Sequence, residues 1–377
     1  MRGRSFRLTN GTLAGMAASL AARLVSGEAL VTRTLTDGGQ SADDIAAEVE
    51  AFIAGARSSL EFALYDVRIS SPAADVVRGA IEAAAQRGVA VRIAYNEDHA
   101  NPIPVPPPPA TQPELLDTLR VPTRPIPGIP DLMHHKYVIR DGTAVWTGST
   151  NWTDDAWTRQ ENVIVAVASA GVAAAYRRDF DELWRRRRVQ GTGEDHPRRI
   201  DVGGAQVRAW FCPDGGPDLS HEIARSIAAA KRRVRIASPV LASAPILATL
   251  AQLVADGGLD IAGVLDATQV GEVHRQWGAD GHVTWKIGLL DSILRRGGFT
   301  GKRSTPYAPE ALHDYMHAKV TVTDDTSFVG SFNLSHSGEM NAENVLQITD
   351  AALADAMAAY IDGVRGRYPA LTSSGAP

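Results

Sequence analysis

One string of residues occurs twice in this chain, so its fold must accommodate two copies of one unit. The first copy is His134, Lys136, Asp141, Gly148, Ser149 and Asn151, and the second is His317, Lys319, Asp324, Gly330, Ser331 and Asn333. Asp-x-Met precedes each, as Asp131-Leu132-Met133 and Asp314-Tyr315-Met316. A Glu-Asn pair follows each Asn by ten residues, as Glu161-Asn162 and Glu343-Asn344. With 377 residues the chain can form two domains or one large pseudo-symmetric one.

The repeat extends beyond the motif. Asp43 to Arg57 reads as a helix, with Ile45, Val49, Phe52 and Ile53 on one face. Ser59 to Val67 alternates like a strand. Pro72 to Gln86 is an Ala-rich helix stopped by Gly88, and Val89 to Tyr95 is a second strand. The later half repeats the order: helix Leu219 to Lys231, strand Arg233 to Ser238, helix Pro245 to Ala255, strand Leu259 to Leu265. Strands alternating with helices predict an α/β sheet covered by helices. Each motif then falls on a hairpin. His134 to Arg140 and Lys319 to Thr323 are rich in β-branched residues, and Asp141-Gly142 is a turn signal. The second copy is one residue shorter before its Gly-Ser, and that deletion falls in the turn.

Side chains alternate along a strand, so His134 and Lys136 share a face and His135 points away. Ala318 stands where His135 does, so no imidazole is required there and His135 reads as a packing or hydrogen-bonding residue. Two imidazoles and two ammonium groups suit phosphodiester chemistry. Neutral imidazole can attack an anionic ester and form a covalent phospho-histidine. A second, protonated imidazole can donate to the departing alkoxide. Lys136, Lys319, Asn151 and Asn333 can hold the non-bridging oxygens, with Ser149 and Ser331 adding donors. Glu161 and Glu343 are candidates to accept from Nδ1 of each His. Neither a metal nor another cofactor is required. His313 and His317 have the i, i+4 spacing of a helical metal site, but the residues after His317 read as a strand, which argues against metal.

The paired pattern resembles the phospholipase D superfamily, a family of metal-independent phosphodiesterases. The likeness runs from about Thr34 to Val364. It implies two pseudo-symmetric α-β-α sandwich halves packed face to face with the active site between them. It also implies that the N-terminal His134 is the nucleophile and His317 the acid/base. Asp141 and Asp324 are implied to support structure through ion pairs, and Gly148 and Gly330 belong to the structural motif. The expected organisation is an N-terminal helical segment 1–33, a first half 34–184, a basic linker 185–204 and a second half 205–368.

Composition narrows the setting. A net charge of -5 gives no global attraction to nucleic acid or anionic membranes. The single cysteine, Cys212, excludes an internal disulfide framework and reads as a buried thiol. No run is long enough to span a bilayer, and Thr12 to Leu24, interrupted by Arg23, reads as an amphipathic helix, so the expected location is the cytoplasm with peripheral membrane contact allowed; secretion, from the basic Met1 to Arg4 ahead of that stretch, is the weaker alternative. Pro102 to Pro130 reads as an ordered loop entering the first motif, and Gln269 to Pro309 as the equivalent Trp-bearing insertion before the second. Trp146 reads as core, while Trp152 is a candidate to line the cleft. The expected substrate is a phospholipid headgroup ester. Three alternatives stand beside it: a nuclease with a groove of Arg185 to Arg188, Arg295, Arg296, Lys302 and Arg303; a phosphatidyltransferase of cardiolipin-synthase type; and a non-enzymatic binding scaffold.

Overall fold

The computed structural model describes residues 19–97, 114–194, 196–308 and 311–374. Its first half runs α1 (Leu20–Val25), β1 (Leu30–Leu35), α2 (Ala42–Ala54), β2 (Ser59–Leu64), β3 (Val67–Arg68), α3 (Ala73–Gln86), β4 (Ala90–Glu97), α4 (Glu114–Thr118), β5 (Thr123–Pro127), β6 (Lys136–Arg140), β7 (Ala144–Gly148), β8 (Trp152–Thr153), α5 (Asp154–Thr158), β9 (Asn162–Ala168) and α6 (Ala170–Arg186). The second half runs β10 (Ile200–Val202), β11 (Ala205–Phe211), α7 (Gly216–Ala229), β12 (Arg233–Ser238), α8 (Ala244–Asp256), β13 (Asp260–Asp266), α9 (Ala267–Ala279), α10 (Trp285–Arg296), β14 (Gly298–Lys302), β15 (Val320–Thr323), β16 (Thr326–Gly330), α11 (His336–Met340), β17 (Asn344–Thr349) and α12 (Ala351–Arg365).

The two large sheets match strand for strand. The first has the order β1-β9-β7-β6-β2-β4-β5, and the second has β11-β17-β16-β15-β12-β13-β14 with β10 added at its edge. In each, a parallel βαβ unit (β2/β4, β12/β13) joins the antiparallel motif hairpin through its first strand. Residue alternation divides the interior. Phe62, Val138 and Ile164 enter a core beneath α2 and α3, while Ala63, Tyr137 and Val165 enter the core shared with the second half. That shared core is packed by α6 and α12, and a third lies beneath α7 and α8. Each sheet therefore has helices on both faces, and the halves meet across a pseudo-twofold.

Several elements depart from expectation. β1 starts at Leu30 and pairs with β9, so sheet begins inside the segment expected to be helical. Of the expected helix Thr12 to Leu24, residues 12–18 lie outside the described residues, and α1 covers the rest. The expected linker contributes β10. The Pro-rich stretch holds α4 and the edge strand β5, where proline costs fewest ladder bonds, and its residues 102–113 lie outside the described residues. The second insertion is a helical hairpin, α9 and α10, followed by an edge strand; its final residue, 309, lies outside the described residues.

Candidate active site

His134 precedes β6 and His317 precedes β15, so both sit where a strand emerges from its sheet. The two halves exchange backbone bonds at these points. The His134 amide donates to the Ala342 carbonyl at 2.9 Å, and the His317 amide donates to the Glu161 carbonyl at 3.1 Å. Both imidazoles consequently line one cavity of about 550 Å³, together with Asn151 and Asn333. Lys136 Nζ donates to the His134 carbonyl at 2.6 Å, and Lys319 Nζ donates to the His317 carbonyl at 2.9 Å. All four side chains are buried.

Burial, and then the ammonium groups of Lys136 and Lys319, hold both imidazoles well below their ordinary pKa. Burial brings Lys136 down to about 7, and burial with Lys136 as neighbour lowers Lys319 well below its ordinary value. A phosphodiester anion among these groups would restore their charge, which is the electrostatic signature of an anion site. The Oδ1 atoms of Asn151 and Asn333 have no hydrogen-bond partner among the described residues, so neither amide is locked by one.

The imidazoles differ in what holds them. His134 Nδ1 lies 2.8 and 2.9 Å from the two carboxylate oxygens of Glu343, which comes from the opposite half. Burial raises the Glu343 carboxyl to about 8. With that carboxyl ionised, Nδ1 carries the proton of the short contact, and Nε2 of His134 is left available for chemistry. His317 Nδ1 instead lies 3.2 Å from Oδ1 of Asn162. Glu161 does not reach His317. Its carboxylate accepts from Lys302 Nζ at 2.9 Å and from the Tyr368 hydroxyl, away from the cavity.

This corrects the sequence pairing of Glu161 with Glu343. Ser149 N bonds the Val163 carbonyl, whereas Ser331 N bonds that of Asn344. A Cβ on Gly148 would meet the Val163 carbonyl oxygen at 2.1 Å, and one on Gly330 would meet that of Asn344 at 2.0 Å. Val163 is therefore the structural counterpart of Asn344, and Asn162 that of Glu343. The loop after Ser149 carries one extra residue. Equal spacing to a Glu in both copies concealed the shift.

Other motif residues act behind the cavity. Ser149 Oγ donates to Asn162 Oδ1 at 2.7 Å, and Ser331 Oγ accepts from Asn344 N at 3.0 Å. Both serines are fully buried: Ser149 contacts Asn162, which holds His317, and Ser331 contacts Asn344, the neighbour of Glu343. The expected ion pairs of Asp141 and Asp324 are replaced by backbone bonds. Asp141 accepts from the amides of Arg57, Ser58 and Ser59, and Asp324 from those of Lys231, Arg232 and Arg233. Burial opposes their ionisation, but these amides outweigh it and hold both carboxyls below their usual range. Both aspartates adopt positive φ, 56° and 51°, which sets the hairpin turn. Trp152 packs on Phe62 and Trp157 in the core and does not line the cavity. Lys302 is buried against Glu161 and Asp37, so it cannot belong to a basic groove.

The structure also adds residues. The Tyr65 ring lies 4.5 Å from that of His134, with Lys136 Nζ 4.6 Å from its centroid. Tyr307, His313 and Tyr315 form a stacked ladder along the wall, with centroids 5.5 and 5.6 Å apart. His313 Nε2 lies 3.0 Å from the Ala308 carbonyl and Nδ1 3.4 Å from Arg68. Tyr65 and Asp66 follow β2 at the mouth of a parallel βαβ unit, where side chains from the strand ends enter a cleft. That position was the available signal. Among the described residues no cluster of three or more His, Cys, Asp or Glu could hold a metal ion. No helix among them is long and apolar enough to cross a membrane.

Comparison with known proteins agrees with this geometry. A family model described as cardiolipin synthase, PLD-like domain, matches residues 49–184 and 223–365. The mitochondrial cardiolipin hydrolase of Xenopus laevis is 40% identical over 52 residues, 14% of this chain and 25% of that protein. That of Chlamydomonas reinhardtii is 36% identical over 52 residues, 14% of this chain and 23% of that protein. The chain thus spans about a quarter of the length of these curated relatives. The crystal structure of phosphatidylserine synthase from Haemophilus influenzae Rd KW20 superposes with a TM-score of 0.62 at 11% identity, covering 94% of this chain and 91% of that one. Polyphosphate kinase from Porphyromonas gingivalis gives a TM-score of 0.58 at 11% identity, covering 88% of this chain and 46% of that one. Two matched halves, one shared cavity and a family match to both halves converge: the chain belongs to the phospholipase D superfamily of phosphodiester-processing enzymes.

Proposed function

We propose that this protein is a metal-independent phosphodiesterase of phospholipase D type, hydrolysing or transferring phospholipid headgroup esters through a phospho-histidine. The observation that carries the reading is the pair of imidazoles lining one cavity, each held at Nδ1 by the opposite half. Nε2 of His134 attacks phosphorus, and the bond from phosphorus to the headgroup oxygen breaks. His317 gives a proton to that oxygen, then takes one from water or an alcohol. The new oxygen bonds phosphorus and releases His134. Lys136, Lys319, Asn151 and Asn333 hold the non-bridging oxygens throughout. Glu343 favours His134 as nucleophile, because a carboxylate stabilises the positive charge that builds on an attacking imidazole more strongly than the Asn162 amide can.

The lipid reading draws support from the mainly apolar lining of the catalytic cavity and from its likeness to the matched family and relatives. The test is a parallel assay in EDTA with phosphatidylcholine, phosphatidylglycerol, single-stranded DNA and duplex DNA. Headgroup release is the expected result. Nicking of DNA without headgroup release would overturn the lipid assignment in favour of a nuclease, and activity that survives His134→Asn would overturn the mechanism.

A further inference from the structure

A second cavity of about 290 Å³ adjoins the catalytic one. The two share Gln269, Glu272 and Asn333, so Asn333 faces both. The α9–α10 hairpin builds the outer wall and brings Lys286 into it. Lys286 Nζ donates to the Ala242 carbonyl at 3.2 Å and lies 5.6 Å from the Trp277 ring and 5.8 Å from the Trp285 ring. Among the described residues no carboxylate stands within ion-pair distance of Nζ. Glu339 is engaged by Ser220 at 2.5 Å and by His336 at 3.3 Å, and Glu272 pairs with Arg275. Aromatic faces hold an ammonium in place without neutralising it. Lys286 is thus a positioned ammonium, partly shielded from water, in a groove continuous with the reacting centre; burial lowers its pKa, and the Glu339 carboxylate, beyond ion-pair distance, opposes that.

We propose that the Lys286 groove seats a second phosphate of the same substrate molecule while the first lies between His134 and His317. The inference rests on the phosphodiesterase reading above and narrows it to substrates with two phosphates. Asn333, at the junction, contacts the link between them. A lipid with two phosphatidyl groups and a short oligonucleotide both present this chemistry.

The test compares matched pairs that differ by one phosphodiester: cardiolipin against phosphatidylglycerol in mixed micelles, and a thymidine trinucleotide against the dinucleotide. Wild type should favour the two-phosphate member in one pair, and that pair identifies the source. Lys286→Gln should lower this preference in kcat/KM about tenfold, through KM, and Lys286→Arg should retain it. No preference in wild type, or a preference unchanged by Lys286→Gln, overturns the subsite. Equal loss on both members would also overturn it, since a purely structural role predicts that. Wild type inactive on all four substrates would overturn the phosphodiesterase reading, and the subsite with it.

Discussion

The two half-sites share a backbone plan but not a chemistry. Each His emerges before a strand, each Lys caps the carbonyl of its own His, and each imidazole is held across the interface. Yet His134 is held by a carboxylate and His317 by an amide. A duplicated unit gives two equivalent imidazoles; a phosphotransfer needs one nucleophile and one acid. One extra residue in the loop after Ser149 shifts the register and gives the two imidazoles different partners. It turns Asn162 toward His317 and Glu161 away from it.

The comparison can be broken at its strongest point first. Glu343→Gln should lower kcat roughly 10³-fold, because the amide no longer fixes the tautomer or balances the imidazolium charge. Asn162→Ala should cost only about tenfold. Equal losses in steady-state kinetics would mean that the halves are interchangeable.

Glu161→Ala sharpens the same contrast. It removes one of the two carboxylates that hold the buried Lys302 ammonium and leaves Asp37 at 3.1 Å, so urea unfolding should show a loss of about 2 kcal/mol. Its kcat should stay within about threefold of wild type, since Glu161 reaches neither imidazole. A large loss of kcat would restore the symmetric pairing of the two glutamates.

The last test is in pH. Lys136 is brought down to about 7 by burial, so its ammonium is present below that pH and lost above it. KM should rise above pH 7 by at most about tenfold per unit, and Lys136→Arg should flatten that rise because guanidinium stays charged. A KM constant from pH 6 to 9 in wild type would show that Lys136 does not hold the anion by charge.

Much of this was legible in the residues. The period of Ser59 to Leu64 and of Arg233 to Ser238 marks them as strands, and the strands are there because alternation buries one side chain in each core. His134, Lys136, His317 and Lys319 were identifiable because repetition at fixed offsets is hard to reach by chance. The role of Glu161 was not. A one-residue offset changes which side chain faces the cavity, and sequence spacing cannot reveal an insertion that recreates the same dipeptide interval. Tyr65, Arg68 and the Tyr307–His313–Tyr315 wall were hidden for another reason. They reach the site through tertiary packing of strand ends and an insertion, and carry no motif of their own.

The central claim is that His134, not His317, carries the phosphoryl group. Rapid quench of turnover with a labelled phosphodiester, followed by peptide mass spectrometry under alkaline conditions, measures this directly. The account predicts a base-stable, acid-labile phosphate on His134, accumulating further in His317→Asn. Label on His317, or none on either residue while product forms, would contradict it.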